Sequence, residues 1–286
     1  MKYGLSTSLN GRDCYLNRLA ELKRDGISCV ELCLREEDNT AAVCAAAEQV
    51  RAGGLDVFSI HLPFGHTVDP AELDEEKRRE NMERIRRLID DTAGIGAKIY
   101  VIHGSAEPVQ ERERALEAAA RSLAELVSHM QPIGLTLALE NLPRSCVGRS
   151  SAEIAFLLEW VPGLRLCFDT NHFTPLRPDV RFRPFQRRFP AVRRHLNPEP
   201  IEDDVQYARR FAEKIVTVHL SDYDGINECH WHPRQGIVDF KGIQDALLGA
   251  GFSSPLVFEP NERCRGVQTT GKSLIEGYKR ATAESV

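Results

Sequence analysis

The stretch ERERALEAAARSLAELVSHMQPIGLTLALEN, residues 111 to 141, holds one complete unit of the predicted fold. In its first part the apolar residues recur at helical spacing, and the pattern stops at Gly134, a residue type that commonly ends helices. Its second part, LTLALEN, is a short apolar run that ends in Glu140, which is typical of a buried strand followed by a loop. The stretch therefore predicts a helix that leads directly into a strand.

The same unit recurs along nearly the whole chain. Eight short apolar or β-branched runs alternate with amphipathic stretches such as DEEKRRENMERIRRLIDDTAGIG, at about 30 residues per unit, which is the pattern of a parallel barrel. The sequence therefore predicts an α/β fold, a single (β/α)8 TIM barrel that spans residues 1–286. The eight candidate strands are the runs at residues 2–8, 28–34, 56–62, 98–104, 135–141, 164–170, 214–220 and 255–261.

The composition narrows the classes of function. The 286 residues carry a formal net charge of −5, so the average surface repels nucleic acid and anionic lipid. The N-terminus lacks a long apolar region, and no stretch approaches the roughly 20 apolar residues that span a bilayer. The eight cysteines form no Cys-x-x-Cys pair, which favours reduced, structural thiols. We therefore expect a cytoplasmic protein without a membrane span.

The connection after the sixth strand is longer than the others and rich in arginine. It runs from about Phe173 to Phe211, and residues 177–194 hold seven arginines against one acid, Asp179. One interpretation is an exposed lid or an oligomer contact. The other is a flap that binds an anion, with Arg187 and Arg188 as phosphate ligands, because guanidinium forks match phosphate geometry.

Ionisable residues end seven of the eight candidate strands. The side chains of a barrel strand are normally apolar, so a charged or imidazole group in the last position needs a reason. Clustered carboxylates repel one another and buried imidazoles need partners, unless a cation lies among them. The pattern therefore predicts a metal site at the rim where barrels build their active sites. The seven residues are Glu31, His61, His103, Glu140, Asp169, His219 and Glu259.

The residue types indicate which ions suit this site. Carboxylate and imidazole without thiolate favour a divalent ion, Mn²⁺, Zn²⁺, Co²⁺ or Mg²⁺, over a cysteine-rich structural zinc site. The last four strands converge on one side of the rim, and their residues are the expected primary ligands: Glu140, Asp169, His219 and Glu259. Five more residues are candidates for a further ion or for substrate contacts: His61, His103, His172, Glu228 and His230. Glu31 is a candidate for a substrate contact, whereas His66, His129 and His195 have no comparable placement.

Several motifs resemble those of one known superfamily. They are HLPFG at 61–65, VIHGS at 101–105, LALENLP at 137–143, CFDTNH at 167–172, VHLSDYDG at 218–225, GIVDFKGI at 236–243 and VFEPN at 257–261. Together they resemble the xylose isomerase-like barrel superfamily, and most closely its sugar phosphate isomerase and epimerase branch. The resemblance covers essentially the whole chain. The superfamily also contains inosose dehydratases and endonuclease IV.

The resemblance to the epimerases implies a mechanism. It implies that Glu140, Asp169, His219 and Glu259 hold one divalent ion, and that the two glutamates act as acid and base on a small carbohydrate or its phosphate. One glutamate would remove the proton on the carbon beside the carbonyl, and the other would return a proton from the opposite face, through an ene-diolate.

Two departures from the family pattern leave the substrate open. Gly225 stands where related ketose 3-epimerases carry an arginine, and Gln235 stands where many relatives carry a carboxylate. Relatives often pair through the rim of the barrel, so a homo-oligomer is an open expectation as well.

The same residues also resemble a nuclease site. Nine residues match, in order, the ligands of the trinuclear zinc centre of endonuclease IV, with glutamate in place of aspartate at 228: His61, His103, Glu140, Asp169, His172, His219, Glu228, His230 and Glu259. This resemblance implies an alternative function, phosphodiester hydrolysis of abasic DNA, and dehydration of a polyol or inosose is a further alternative. The acidic net charge and the absence of a glycine-rich run after Glu140 favour the isomerase or epimerase.

Overall fold

The computed structural model covers most of the chain, and every predicted strand has a counterpart in it. The described residues are 1–7, 12–106, 109, 111–143, 146–172, 203–225, 228–261, 263–264 and 266–283. The arginine-rich segment at 177–194 lies outside these residues, as does His195. The two roles considered for that segment, including phosphate binding by Arg187 and Arg188, therefore stay predictions.

Eight parallel strands close into a barrel in which each strand pairs with the next along the chain and the last pairs with the first. This confirms the predicted (β/α)8 architecture. The strands are β1 (Tyr3–Ser6), β2 (Cys29–Cys33), β3 (Asp56–His61), β4 (Ile99–Ile102), β5 (Thr136–Glu140), β6 (Arg165–Asp169), β7 (Ile215–Leu220) and β8 (Leu256–Phe258). A short antiparallel pair follows the barrel, formed by β9 (Arg263–Cys264) and β10 (Val267–Gln268).

The helices lie between the strands. Within the described part of the chain they are α1 (Arg12–Leu16), α2 (Leu19–Asp25), α3 (Thr40–Ala52), α4 (Glu75–Thr92), α5 (Arg112–Met130), α6 (Ser151–Trp160), α7 (Asp204–Phe211), α8 (Phe240–Gly249) and α9 (Gly271–Ala283). Among these helices, no segment combines the length and the apolar character needed to span a bilayer.

The helix and strand predicted within residues 111–141 form as expected. Helix α5 ends at Met130, and one turn of 3₁₀ helix follows it over Gln131–Ile133. Gly134 then adopts a left-handed conformation, with φ of 72°, and its N–H donates to the Gln131 carbonyl. Because glycine accepts this conformation without steric cost, the chain can turn sharply there and enter β5.

Side chains alternate between two environments along each barrel strand. Leu139, Phe168, Val218 and Phe258 belong to the main hydrophobic core between the strands and the helices. Their neighbours one residue further on carry the predicted site: Glu140, Asp169, His219 and Glu259. The alternation follows from the two-residue period of a strand, which sends successive side chains to opposite faces. Strand pairing sets Asp169 beside His219, so these residues meet at one level of the barrel.

Candidate metal centre

The structure brings the four expected primary ligands together in a central cluster, defined here as Glu140, Asp169, His219 and Glu259. One possible ligand atom from each residue lies within 4.8 Å of the others, and all four residues are buried. The Nδ1 atom of His219 lies 3.2 Å from Glu140 Oε1, 3.7 Å from Asp169 Oδ2 and 3.6 Å from Glu259 Oε2. Strands β5 to β8 thus direct three carboxylates toward one imidazole nitrogen.

The donor atoms of the central cluster fit a divalent cation. Asp169 Oδ2 is buried and accepts no hydrogen bond from any described group. An unsatisfied buried carboxylate oxygen is costly, and three carboxylates in one buried space repel one another. A divalent ion among them would relieve both penalties, and oxygen donors with one imidazole suit Mn²⁺, Co²⁺, Zn²⁺ or Mg²⁺.

The two glutamates of the central cluster have different electrostatic environments. Burial raises the pKa of Glu140, but neighbouring histidines, His219 foremost, outweigh it and hold the pKa well below its ordinary value. For Glu259, burial dominates and raises the pKa, although His219 offsets part of the effect. In the metal-free protein Glu140 therefore favours its charged form more strongly than Glu259 does, a difference that suits separate roles as base and acid.

A second cluster shares the carboxylate of Glu140. His61 Nε2 lies 3.0 Å and His103 Nε2 lies 3.2 Å from Glu140 Oε2, the oxygen that faces away from His219. The other ring nitrogen of His61, Nδ1, lies 2.7 Å from the Leu62 carbonyl oxygen. Donation of an Nδ1 proton to that carbonyl leaves the Nε2 lone pair of the neutral ring directed at the cluster.

A third cluster lies on the other side of Glu140. His172, Glu228 and His230 place one possible ligand atom each within 4.8 Å of the others. His172 Nε2 lies 3.4 Å from Glu228 Oε1, and its Nδ1 lies 3.3 Å from Glu140 Oε1. All five residues expected to bind a further ion or substrate therefore surround the central cluster.

The loop after β7 depends on a residue that sequence reasoning did not identify. Asp222 is buried, and its carboxylate accepts hydrogen bonds from the N–H groups of Tyr223 at 2.9 Å, Gly236 at 2.8 Å and Val238 at 3.1 Å. The loop that carries Glu228 is thus closed around one carboxylate. The only signal in the sequence is an acid three residues after His219, which a solvated loop would show equally well.

Two asparagines hold the part of this loop that contains His230. Asn171 Oδ1 accepts hydrogen bonds from the N–H groups of Cys229 and His230, each at 3.2 Å. Asn261 donates from Nδ2 to the Cys229 carbonyl at 2.8 Å and from its N–H to the His230 carbonyl at 3.0 Å. The N–H and carbonyl groups of both Cys229 and His230 are therefore hydrogen-bonded. These bonds stabilise the left-handed φ of 46° at His230, a conformation that is uncommon outside glycine.

Glu31 and three further histidines lie outside the three clusters. Glu31 is fully buried behind His219, with Oε1 at 2.8 Å from His219 Nε2, instead of lying on the open rim where a substrate contact was expected. His66 is exposed, and His129 lies 2.7 Å from Asp90 on the helical surface. His232, which sequence reasoning did not single out, is buried with its Nε2 at 2.7 Å from the Thr269 hydroxyl.

Comparisons with known proteins agree on the barrel and differ on the activity. The model of the family described as xylose isomerase-like TIM barrel matches residues 19–281. A solved structure of L-ribulose 3-epimerase superposes with a TM-score of 0.72 and 20% sequence identity, covering 99% of this chain and 96% of that one. At this identity the similarity shows a shared fold.

The curated relatives carry two kinds of name. A probable endonuclease 4 of Bacillus subtilis is 28% identical over 135 residues, which cover 45% of this chain and 44% of that protein. A fructoselysine 3-epimerase of Shigella flexneri is 22% identical over 182 residues, which cover 63% of this chain and 58% of that protein. The matched part thus spans roughly half the length of these two relatives.

Proposed function

The chain belongs to the xylose isomerase-like TIM barrel family, and within that family we propose that it is a divalent-metal-dependent isomerase or epimerase of a sugar or sugar phosphate. The supporting observation is the placement of Glu140 and Glu259, which approach His219 Nδ1 to 3.2 Å and 3.6 Å. Glu140 ends β5 and Glu259 directly follows β8, which lies three strands further around the barrel. Two carboxylates that reach one centre from different directions suit proton removal on one face of a carbon and proton return on the other.

The residues of the central cluster have separate tasks in this proposal. Glu140, Asp169, His219 and Glu259 would hold the ion, which when bound polarises the substrate carbonyl and stabilises the charge of an ene-diolate. One glutamate takes the proton from the carbon beside the carbonyl, and the other delivers a proton to the opposite face. Because the cluster is buried, its carboxylates act on the substrate with little screening by bulk water.

The relatives support a carbohydrate substrate. The L-ribulose 3-epimerase shares the fold over nearly the whole chain, and the fructoselysine 3-epimerase is similar in sequence over 63% of it. The five residues around the central cluster would then contact the hydroxyl groups of the sugar. His61, His103 and His230 offer hydrogen-bonding nitrogens at that position.

Solvent isotope exchange tests the proposal directly. Protein stripped with a chelator is reloaded with Mn²⁺, Co²⁺, Zn²⁺ or Mg²⁺ and incubated in D₂O with a panel of ketoses and their phosphates. We expect deuterium at the carbon beside the carbonyl and a new epimer or isomer, both dependent on the added ion. A protein that binds the ion but exchanges no proton on any member of the panel would contradict the proposal.

A second candidate function is favoured by the two flanking clusters. They add five possible ligands to the central cluster, and the three clusters together offer enough donors for three ions: His61, His103, His172, Glu228 and His230. Three ions suit hydroxide generation and phosphodiester cleavage, and a probable endonuclease 4 is among the curated relatives. Three zinc ions per chain together with cleavage of abasic DNA would replace the sugar proposal, whereas one ion per chain would support it. Elimination of water from a polyol substrate would instead identify a dehydratase.

A further inference from the structure

Glu31 is a buried carboxylate whose position calls for an explanation. It is the third residue of β2, its side chain points into the barrel, and none of its surface is exposed. Burying a carboxylate is costly unless partners compensate it. The hydroxyl of Ser59, on the neighbouring strand β3, donates to Glu31 Oε2 at 2.7 Å. The other oxygen, Oε1, lies 2.8 Å from His219 Nε2.

The imidazole of His219 thus has two different sides. Nδ1 faces the carboxylates of the central cluster, whereas Nε2 faces Glu31. Glu31 Oε1 and His219 Nε2 form no hydrogen bond of regular geometry with any described group, so the 2.8 Å contact between them is what compensates the burial of both atoms.

Only one tautomer of neutral His219 can bind a cation at the central cluster. The Nδ1 lone pair must be free, so the ring proton must sit on Nε2. A carboxylate beside Nε2 stabilises that proton, makes Nδ1 a more basic ligand and restrains rotation of the ring.

We propose that Glu31 is a positioning residue that holds His219 in the tautomer and ring orientation needed for a divalent ion, and that Ser59 orients Glu31. This inference rests on the metal site of the proposed function and assigns Glu31 a role behind the site, in place of the substrate contact expected from the sequence. It predicts that Glu31 affects ion affinity without touching ion or substrate.

Ion affinity in a variant of nearly unchanged shape tests this role. The dissociation constant for Co²⁺ is measured by titrating chelator-treated protein and following the visible absorption of the bound ion. Glu31→Gln removes the charge and should weaken Co²⁺ binding by about 10- to 100-fold and change the absorption bands, since the ligand geometry changes. Ser59→Ala, which leaves Glu31 in place, should weaken binding less.

Thr217→Val is the matched control. Thr217 lies on β7 two residues before His219, faces the barrel interior and is equally buried, and the substitution keeps the side-chain shape. It should leave the Co²⁺ dissociation constant and the absorption bands unchanged. The melting temperature of each metal-free variant shows whether the fold is retained.

The outcomes separate this inference from the proposed function. Equal Co²⁺ affinity in wild type and Glu31→Gln, or an equal loss in Thr217→Val, would overturn the role of Glu31 even if the protein epimerises sugars. A protein that binds Co²⁺ in a Glu31-dependent way but converts no sugar would overturn the proposed function and keep the inference. Absence of Co²⁺ binding by the wild type would overturn both.

Discussion

The ring of Phe64 stacks on the imidazole of His103, with ring centroids 4.5 Å apart and planes inclined by 21°. Phe64 is nevertheless 49% exposed, which is unusual for a large apolar side chain beside a buried polar cluster. The residue follows β3 in the motif HLPFG, so it stands at the rim next to His61. An apolar surface at this place suits the carbon face of a bound sugar.

Phe64→Ala should therefore weaken substrate binding more than it slows the reaction. Loss of the aromatic surface removes on the order of 1–2 kcal/mol of apolar contact, so KM should rise about tenfold. Steady-state kinetics on the best sugar of the panel give KM and kcat separately. Phe64→Leu should show a smaller rise, and an unchanged KM in Phe64→Ala would contradict a substrate contact.

Replacing either catalytic candidate by glutamine should abolish turnover while the fold remains intact. Glu140→Gln and Glu259→Gln each remove one proton-transfer group, so kcat should fall by at least about 10²- to 10⁴-fold. The melting temperature of each variant shows whether the fold is retained. A folded variant that turns over at the wild-type rate would contradict the two-glutamate mechanism.

The same two variants should differ in metal content. Glu140 is a possible ligand in both the second cluster and the central cluster, whereas Glu259 is a possible ligand in the central cluster only. If more than one ion binds, Glu140→Gln should lower the ion count per chain further than Glu259→Gln. Elemental analysis by mass spectrometry after gel filtration measures that count.

Asn171→Ala should loosen the loop after β7 without unfolding the barrel. The substitution removes the acceptor for the N–H groups of Cys229 and His230, each bond being worth about 1 kcal/mol. Hydrogen exchange at these two amides should accelerate by on the order of tenfold, while amides of β7 keep their protection. Asn261→Ala is the comparison, because it removes the side-chain donor to the Cys229 carbonyl and keeps the backbone N–H that donates to the His230 carbonyl. Unchanged exchange at Cys229 and His230 would contradict the prediction.

The metal-free protein should lose stability as the pH rises. Burial alone would lower the pKa of His219, but Cys167 and the carboxylates around the ring raise it well above its ordinary value of 6.5. A folded-state pKa above the unfolded value stabilises the fold fully below pH 6.5, and this contribution is lost as the pH rises through the folded-state pKa. Glu140 has a lowered pKa and acts in the opposite direction, but only as the pH falls below its ordinary value of 4.5.

Thermal melting from about pH 6 to about pH 9 measures this dependence. The melting temperature of the metal-free protein should decrease over this range, and added Mn²⁺ or Co²⁺ should reduce the decrease, because the cation replaces the lost proton charge. A His219→Gln variant should show a flatter profile. Identical slopes with and without a bound ion would show that these groups do not control the stability.

The arginine-rich segment yields a prediction that depends on sequence alone. If residues 177–194 recognise phosphate, replacing Arg187 and Arg188 together with alanine should raise KM for phosphorylated sugars far more than for free sugars. Parallel kinetics on a ketose and its phosphate test this. Equal effects on both substrates would assign the segment a scaffolding role.

The sequence predicts the barrel well because most strands end where an apolar run gives way to an ionisable residue. An apolar run that stops at Glu140 or Asp169 marks both the strand and the rim, so the residues that meet in the central cluster follow from the sequence pattern. The regular repeat of a strand followed by a helix also predicts that successive strands are parallel neighbours.

The contacts of Glu31, Asn171 and Asp222 could not be predicted, because they depend on how distant parts of the chain meet in the closed barrel. Glu31 belongs to the same pattern as His61, yet it lies in the middle of β2 and turns toward His219, on the far side of the ring from the central cluster. Its depth depends on the stagger of the strands, which only the closed barrel defines. Asn171 and Asp222 are short polar residues near loops, where capping, turn formation and solvation leave the same sequence pattern.

The alternation of side chains along the barrel strands also determines which genetic changes the protein can tolerate. A substitution at Phe168 or at Asp169 alters either the core or the site, but not both. Deletion of a single residue within β6 would exchange the two faces, exposing phenylalanine to the polar interior and pressing aspartate against the helices. Insertions and deletions should therefore be confined to the loops, and new activities in this barrel should arise through point substitutions and changes of loop length.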